Sequence, residues 1–279
     1  MVYLKNFTIL SREQEERILD SIRETCYTTR YPFNNFRYRD VPQLEFEPLT
    51  IFYGGNGSGK TTLLNIIAER LHLSRETVFN RSSFFEDYVR ECSYKMTFGK
   101  IAPPGSRIIT SDDVFDYLLD IRYVNQGIDT ERVKLFDQYV SDKYEPFQLK
   151  GLDDYKEFKR KCDAKSKSRS RFIKERLMEN VQEQSNGESG LYYFTNSIKE
   201  NALYLLDEPE NSLSASLQLK LKSFLEDSAR FYHCQFIIST HSPFLLSMQG
   251  AKIYDLDSDP IDVKPWTQLE NVKTYYSFF

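Results

Sequence analysis

The sequence predicts an α/β fold, with a mainly parallel sheet flanked by helices and a largely helical insertion. Three features predict it. The run Leu49, Thr50, Ile51, Phe52, Tyr53 is β-branched and aromatic and stops at a glycine pair, which reads as a buried strand. From Thr61 the apolar residues Leu63, Leu64, Ile66, Ile67 and Leu71 fall at helical spacing. Two later apolar runs, 202–206 and 235–239, bracket an amphipathic stretch at 217–231. Apolar strands that alternate with helices belong to a parallel sheet covered on both faces.

In chain order, residues 2–10 read as a strand, and Ser11 with Gln14 forms a capping box that opens a helix. Leu19 and Ile22 supply its apolar stripe, and Pro32 breaks it by disfavouring helical geometry at Tyr31. Short strands are expected around 35–39 and 43–46. Over 74–185 the pattern predicts strands at 96–101 and 107–110, and helices at 113–122, 130–139, 152–162 and 172–184. A helix at 189–198 and a last strand at 252–256 follow. The expected organisation is a core of 1–73 and 186–279 with a mostly helical insertion, or lid, at 74–185.

The strongest chemical signal is Gly54, Gly55, Asn56, Gly57, Ser58, Gly59, Lys60, Thr61, followed by Thr62. It fits GxxxxGK[ST] between a strand and a helix, the context a phosphate-binding loop requires. Glycines let the backbone curl until successive N–H groups point at an anion. The helix N-terminus behind them adds roughly half a positive charge. In this reading Lys60 reaches the β- and γ-phosphates and the Thr61 hydroxyl ligates magnesium. The competing reading is a glycine-rich turn that matches by chance.

Asp207 and Glu208 follow four apolar residues, so both carboxylates stand at the end of a buried strand, where open α/β sheets bind ligands. Asp207 would hold magnesium through water, and Glu208 would orient or deprotonate an attacking water. Alternatively, the two acids simply start a turn. His241, one of three histidines, ends the buried run at 235–239 and is placed to contact a γ-phosphate or the water. Its bland reading is a packed or exposed side chain after a strand.

These residues, in this order, resemble the ABC ATPase class of P-loop NTPases. Within it they resemble the soluble group akin to RecF and structural-maintenance-of-chromosomes heads. Asn35, Phe36, Arg37, Tyr38 and then Phe46 are similar to that group's opening strand, and the phosphate loop and acidic pair to its Walker A and Walker B motifs. Gln184, Ser185, Asn186, Gly187, Glu188 and Ser189 resemble the signature written LSGGQ or LSGGE, with Gln184 where leucine and Asn186 where glycine is usual; the competing reading is a polar turn that caps the next helix. Pro209, Glu210, Asn211, Ser212, Leu213 and Ser214 resemble a pattern of repair- and defence-type ATPases, as does Ser242-Pro243 after the histidine; transporter subunits usually carry Asp there. The resemblance spans roughly 35–70 and 184–258. It implies ATP and Mg2+ as ligands, and a homodimer in the ATP-bound state. Ser185, Asn186, Gly187 and Glu188 would then complete the partner copy's site, and Asn211, Ser212, Leu213 and Ser214 would cross the seam. The glutamine such proteins carry after an early strand is absent; Ser111 or Asp112 either takes that magnesium-sensing place or caps the next helix.

Composition bounds the rest. The chain has 279 residues, a formal net charge of −4, and 28% charged residues. That excludes global disorder and a general nucleic-acid coat. Four dispersed cysteines without a CxxC pair predict reduced thiols and a cytoplasmic location. No apolar run reaches the roughly 20 residues of a membrane span, and no leader pattern opens the chain.

Ten bases lie between Lys156 and Arg176 against only Glu157, Asp163 and Glu175. Those from Lys165 to Arg176 are either a nucleic-acid contact coupled to dimer closure or a solvated helical face. The expected function is a slow or partner-stimulated ATP hydrolase acting as a nucleotide-gated switch. Two alternatives stand beside it. One is a regulatory or scaffold ATPase of a phage-defence system with a separate effector protein; the other is a RecF-like repair clamp on DNA.

Overall fold

The computed structural model describes residues 1–22, 26–37, 39, 41, 43–99, 101–146, 155–181 and 185–278. In chain order these form β1 (Leu4–Thr8), α1 (Arg12–Ser21), β2 (Leu44–Glu45), β3 (Leu49–Tyr53), α2 (Lys60–Arg70), α3 (Phe85–Glu91), β4 (Ser93–Met96) and β5 (Arg107–Thr110). Then come α4 (Ser111–Tyr144), α5 (Tyr155–Ser166), α6 (Arg169–Lys174), α7 (Asn186–Ser197), β6 (Leu203–Asp207), α8 (Ala215–Phe231) and β7 (Gln235–Ser239). The last elements are α9 (Pro243–Leu246), β8 (Lys252–Asp255), β9 (Asp262–Val263) and α10 (Glu270–Phe278). The chain divides into two units: Met1–Phe115 with Asn186–Phe279, and Asp116–Ser185.

In the first unit the apolar runs assemble into a six-stranded sheet of order β5-β6-β7-β3-β8-β9. Its first five strands pair parallel and only β9 runs antiparallel. Every residue of β3, β6 and β7 is buried, as both-face coverage requires. Phe52, Leu203, Leu205, Ile237 and Tyr254 join one core with α2 residues Leu63, Ile66 and Ile67 and with β1 and α3. A smaller antiparallel sheet, β2-β1-β4, belongs to that core. Gln235 ties the two sheets: its buried Oε1 accepts from the Tyr3 and Leu4 amides at 2.7 and 2.8 Å. The second unit packs around Leu135, Tyr139, Ala164, Phe172 and Ile173.

Several expectations change. Asn35 and its described neighbours form turns, not a strand, and the pairing segment shrinks to β2. The helices expected at 113–122 and 130–139 are one helix, α4, of 34 residues, which runs through Gly127. Glycine costs a helix only about 1 kcal/mol, too little to stop one this long. The helix expected at 172–184 is the short α6, and 182–184 lie outside the described residues. Residues 74–115, grouped with the insertion on sequence grounds, supply α3, β4 and β5 to the first unit, where β5 pairs with β6.

Candidate functional site

Strand order places the chemistry. β6, β7 and β3 are consecutive neighbours, all parallel, so their carboxyl ends lie side by side. Asp207 ends β6, Thr240 and His241 follow β7, and Gly54 follows β3.

The loop after β3 curls through two left-handed glycines, Gly57 at φ +81° and Gly59 at φ +99°. A side chain on Gly59 would also stand 2.9 Å from the Phe36 ring, which closes that side of the loop. Lys60 is only 5% exposed, and its Nζ donates to the carbonyls of Gly54 and Gly55 at 2.9 and 3.1 Å. Arg39 donates to Ser58 O and Leu256 O, and Asp257 accepts from the Gly55 amide at 2.7 Å. A cavity of about 500 Å3 opens here, lined by Asn35, Asn56, Gly57, Gly59, Lys60, Thr61, Thr62 and Glu208.

The acidic pair meets this loop. Thr61 Oγ1 donates to Asp207 Oδ1 at 3.0 Å, and Ser239 Oγ donates to the same oxygen. Burial pushes the Asp207 carboxyl above the usual carboxylate range. Glu208 adopts φ +47°, a left-handed backbone held by bonds from its amide to Ser239 O and Oγ. Its Oε1 stands 3.6 Å from Lys60 Nζ and 3.8 Å from His241 Nδ1. A second cavity, about 700 Å3, is lined by Thr61, Asp207, Ser111, Asp112, Arg75 and Tyr31 among others. The cap of α4 falls to neither Ser111 nor Asp112: Asp113 accepts from the Thr110 amide at 2.6 Å, and its own amide donates to Thr110 Oγ1.

The set fits a nucleoside triphosphate with a divalent cation. The loop glycines leave space that side chains would fill, Ser58 Oγ is buried with no partner among the described residues, and a hydroxyl and a buried carboxylate converge at one point.

Gly187 lies in the first turn of α7 and is buried, while Ser185, Asn186 and Glu188 are exposed. A Cβ on Gly187 would meet Leu217 Cδ1 at 2.7 Å and Ser212 O at 3.1 Å, so this segment packs on the 211–214 loop. That loop is itself anchored at its start, where Asn211 Nδ2 donates to Glu208 Oε2 at 3.3 Å. Of the aromatics near the loop, Phe36 is buried as core, and Tyr38 lies outside the described residues.

Sequence reasoning missed Ser239, Glu210, Asp257 and Asn271. Glu210 is 5% exposed and accepts from Thr240 Oγ1 and the His241 amide at 2.6 and 3.0 Å. Asn271 donates to His241 O. Glu210 stood in a quoted motif; the others carry no local signal.

The basic cluster is largely satisfied within the second unit. Lys167 pairs with Asp163 and Glu175, Arg171 with Glu175, Arg176 with Asp163, and Lys174 with Glu179. Arg169 lies over the Phe136 ring.

A family model described as "ABC transporter" matches residues 43–211, and one described as "AAA domain, putative AbiEii toxin, Type IV TA system" matches 179–247. No curated protein matches the chain. Among solved structures it is similar to the SMC head domain from Thermotoga maritima, at 13% identity, over 94% of this chain and 98% of that one, with a TM-score of 0.44. The Smc head of Pyrococcus furiosus with an extended coiled coil, bound to the C-terminal domain of ScpA, matches at 13% identity over all of both chains, with a TM-score of 0.46. A nucleotide-free ATP-binding cassette from an ABC transporter matches at 17% identity over 99% of this chain and 96% of that one, with a TM-score of 0.43.

Proposed function

The chain belongs to the ABC transporter family of P-loop ATPases, and from that premise we propose a nucleotide-gated switch that binds and hydrolyses ATP between two copies of itself. The observation that carries this reading is the convergence of three strand ends: Thr61 on Asp207 at 3.0 Å, Lys60 by Glu208 at 3.6 Å, and Glu208 by His241 at 3.8 Å.

In this mechanism the amides and side chains of Gly54, Gly55, Asn56, Gly57, Ser58, Gly59 and Thr62 cradle the phosphates, with Lys60 on the β- and γ-groups. Thr61, Asp207 through water, and Asp112 would hold magnesium, which would supply charge neutralisation at the phosphates. Glu208 orients the attacking water and takes its proton as the bond from the γ-phosphorus to ADP breaks. His241 stabilises charge on the transferred group. Positioning and charge neutralisation do most of the work. Ser185, Asn186, Gly187 and Glu188 of a second copy complete each site, and the 211–214 loop crosses the seam. Packing of Gly187 on that loop supports the two acting together. No described helix is long and apolar enough to cross a membrane.

A second reading, a regulatory ATPase gating a separate effector protein, draws on the match of 179–247 to a Type IV TA system model. A DNA clamp is less supported, because the cluster's charges face acids of the same unit.

The test is the solution mass of Glu208→Gln with and without ATP-Mg. The variant should bind ATP and stall, because a positioned base supplies about 10²–10⁴ in rate. A monomer that becomes a dimer with ATP supports the switch. A mass unchanged by bound ATP refutes ATP-driven closure of this chain on itself.

A further inference from the structure

Glu210 is an acid without a role in the chemistry above, yet it is as buried as Lys60. One oxygen, Oε1, accepts three bonds from consecutive residues after β7: Thr240 Oγ1 at 2.6 Å, the His241 amide at 3.0 Å and the Ser242 amide at 3.3 Å. The same oxygen lies 3.6 Å from His241 Nδ1. The other oxygen, Oε2, is buried with no partner among the described residues. A buried carboxyl so unevenly satisfied is costly, and its position is defined by what Oε1 holds.

The clamp continues beyond Glu210. Ser242 Oγ donates to Gln218 Oε1 at 2.6 Å, and Gln218 Nε2 donates to Leu213 O at 2.8 Å. The Leu213 amide returns to Glu210 O at 3.0 Å. A closed ring of bonds therefore joins the histidine turn, the start of α8 and the 211–214 loop.

We propose that Glu210 is a positioning residue that fixes the His241 turn and, through Ser242 and Gln218, couples it to the 211–214 loop. A shift of that loop would then reach His241 through bonds rather than through diffuse packing. The proposal rests on the ATPase reading, because His241 has work to do only if a phosphoryl group is transferred.

The experiment uses the full chain and four variants: Glu210→Ala, Glu210→Gln, Gln218→Ala and the Glu210→Ala/Gln218→Ala pair. Turnover and KM for ATP-Mg are measured together with amide hydrogen exchange over 211–218 and 240–242. Glu210→Ala should lower kcat about tenfold with KM nearly unchanged, since misplacing one group costs rate before binding. Glu210→Gln keeps the acceptor oxygen and should recover most of the rate. The pair should be no slower than Glu210→Ala alone, because the two residues act as one unit. Exchange at His241, Ser242 and Leu213 should quicken in Glu210→Ala. If that variant does not fold, Glu210→Gln and Gln218→Ala carry the same comparison.

Unchanged kcat in Glu210→Ala, a Glu210→Gln as slow as Glu210→Ala, or multiplicative losses in the pair would each overturn the proposal. A wild-type chain without turnover refutes the ATPase reading instead. The clamp is then judged by exchange alone, and unaltered exchange at His241 and Ser242 overturns it.

Discussion

The Thr61 hydroxyl donates to Asp207 Oδ1 at 3.0 Å, joining the first turn of α2 to the carboxyl end of β6. The two residues come from segments 146 positions apart, and a parallel sheet is what brings them together. Ser239, opposite Asp207 in the β6–β7 register, donates to the same oxygen, so the carboxylate is aimed by both neighbours.

Nucleotide binding should depend on Lys60. ATP-Mg at 100 times its Kd stabilises a binding protein by about 2.7 kcal/mol. A thermal melt of the wild-type chain should therefore rise on adding ATP-Mg. Lys60→Ala should show no rise at the same concentration; a shift equal to wild type would remove Lys60 from the phosphate site.

Gly187→Ala should destabilise the chain by about 1–3 kcal/mol, the usual cost of overpacking. Its Cβ meets Leu217 at 2.7 Å and a backbone carbonyl at 3.1 Å, and the carbonyl has no flexible end to move aside. Denaturant midpoints compare it with Gly127→Ala, whose Cβ meets nothing within 4 Å and which should be neutral or stabilising.

Glu15→Gln should stabilise the chain at neutral pH. Burial raises the Glu15 carboxyl above its ordinary value of 4.5, and the Asn34 amide, the Tyr88 hydroxyl and Arg37 only partly oppose this. A raised folded value favours the protonated form in the folded state. That contribution is whole below the unfolded value and is lost as pH rises through the folded one. The amide needs no proton to be lost, so the gain of Glu15→Gln, about 1 kcal/mol, should appear at pH 7 and shrink near pH 4. Thermal melts at the two pH values check it; an equal effect at both would contradict the assignment.

Neutralising Lys165, Arg169 and Lys174 to Gln should leave ATP turnover unchanged and alter DNA binding little. Lys174 pairs with Glu179 and Arg169 lies over the Phe136 ring, so two of the three are already engaged within their own unit. A salt-dependent loss of DNA affinity in the triple variant would restore the nucleic-acid reading.

Local patterns carried much of this molecule. The apolar runs at 49–53 and 235–239 are β3 and β7, the capping box at Ser11 and Gln14 opens α1, and the glycines mark the turn between β3 and α2. Each is readable because one short stretch of chain contains both the cause and its consequence. Periodicity failed over 111–144, where exposed apolar residues such as Phe115, Leu119 and Tyr123 hide the single helix behind two apparent ones.

The sequence by itself determined the α/β architecture, the phosphate loop, the acidic pair and the histidine, since each is a matter of residue type and spacing within one element. Only the tertiary structure decided that β6, β7 and β3 are neighbours, that Ser239 aims Asp207, and that Glu210 holds the turn carrying His241. The physical reason is range. Hydrogen bonds act over about 3 Å, and partners distant in sequence meet at that distance only after burial of the apolar strands has set the sheet order.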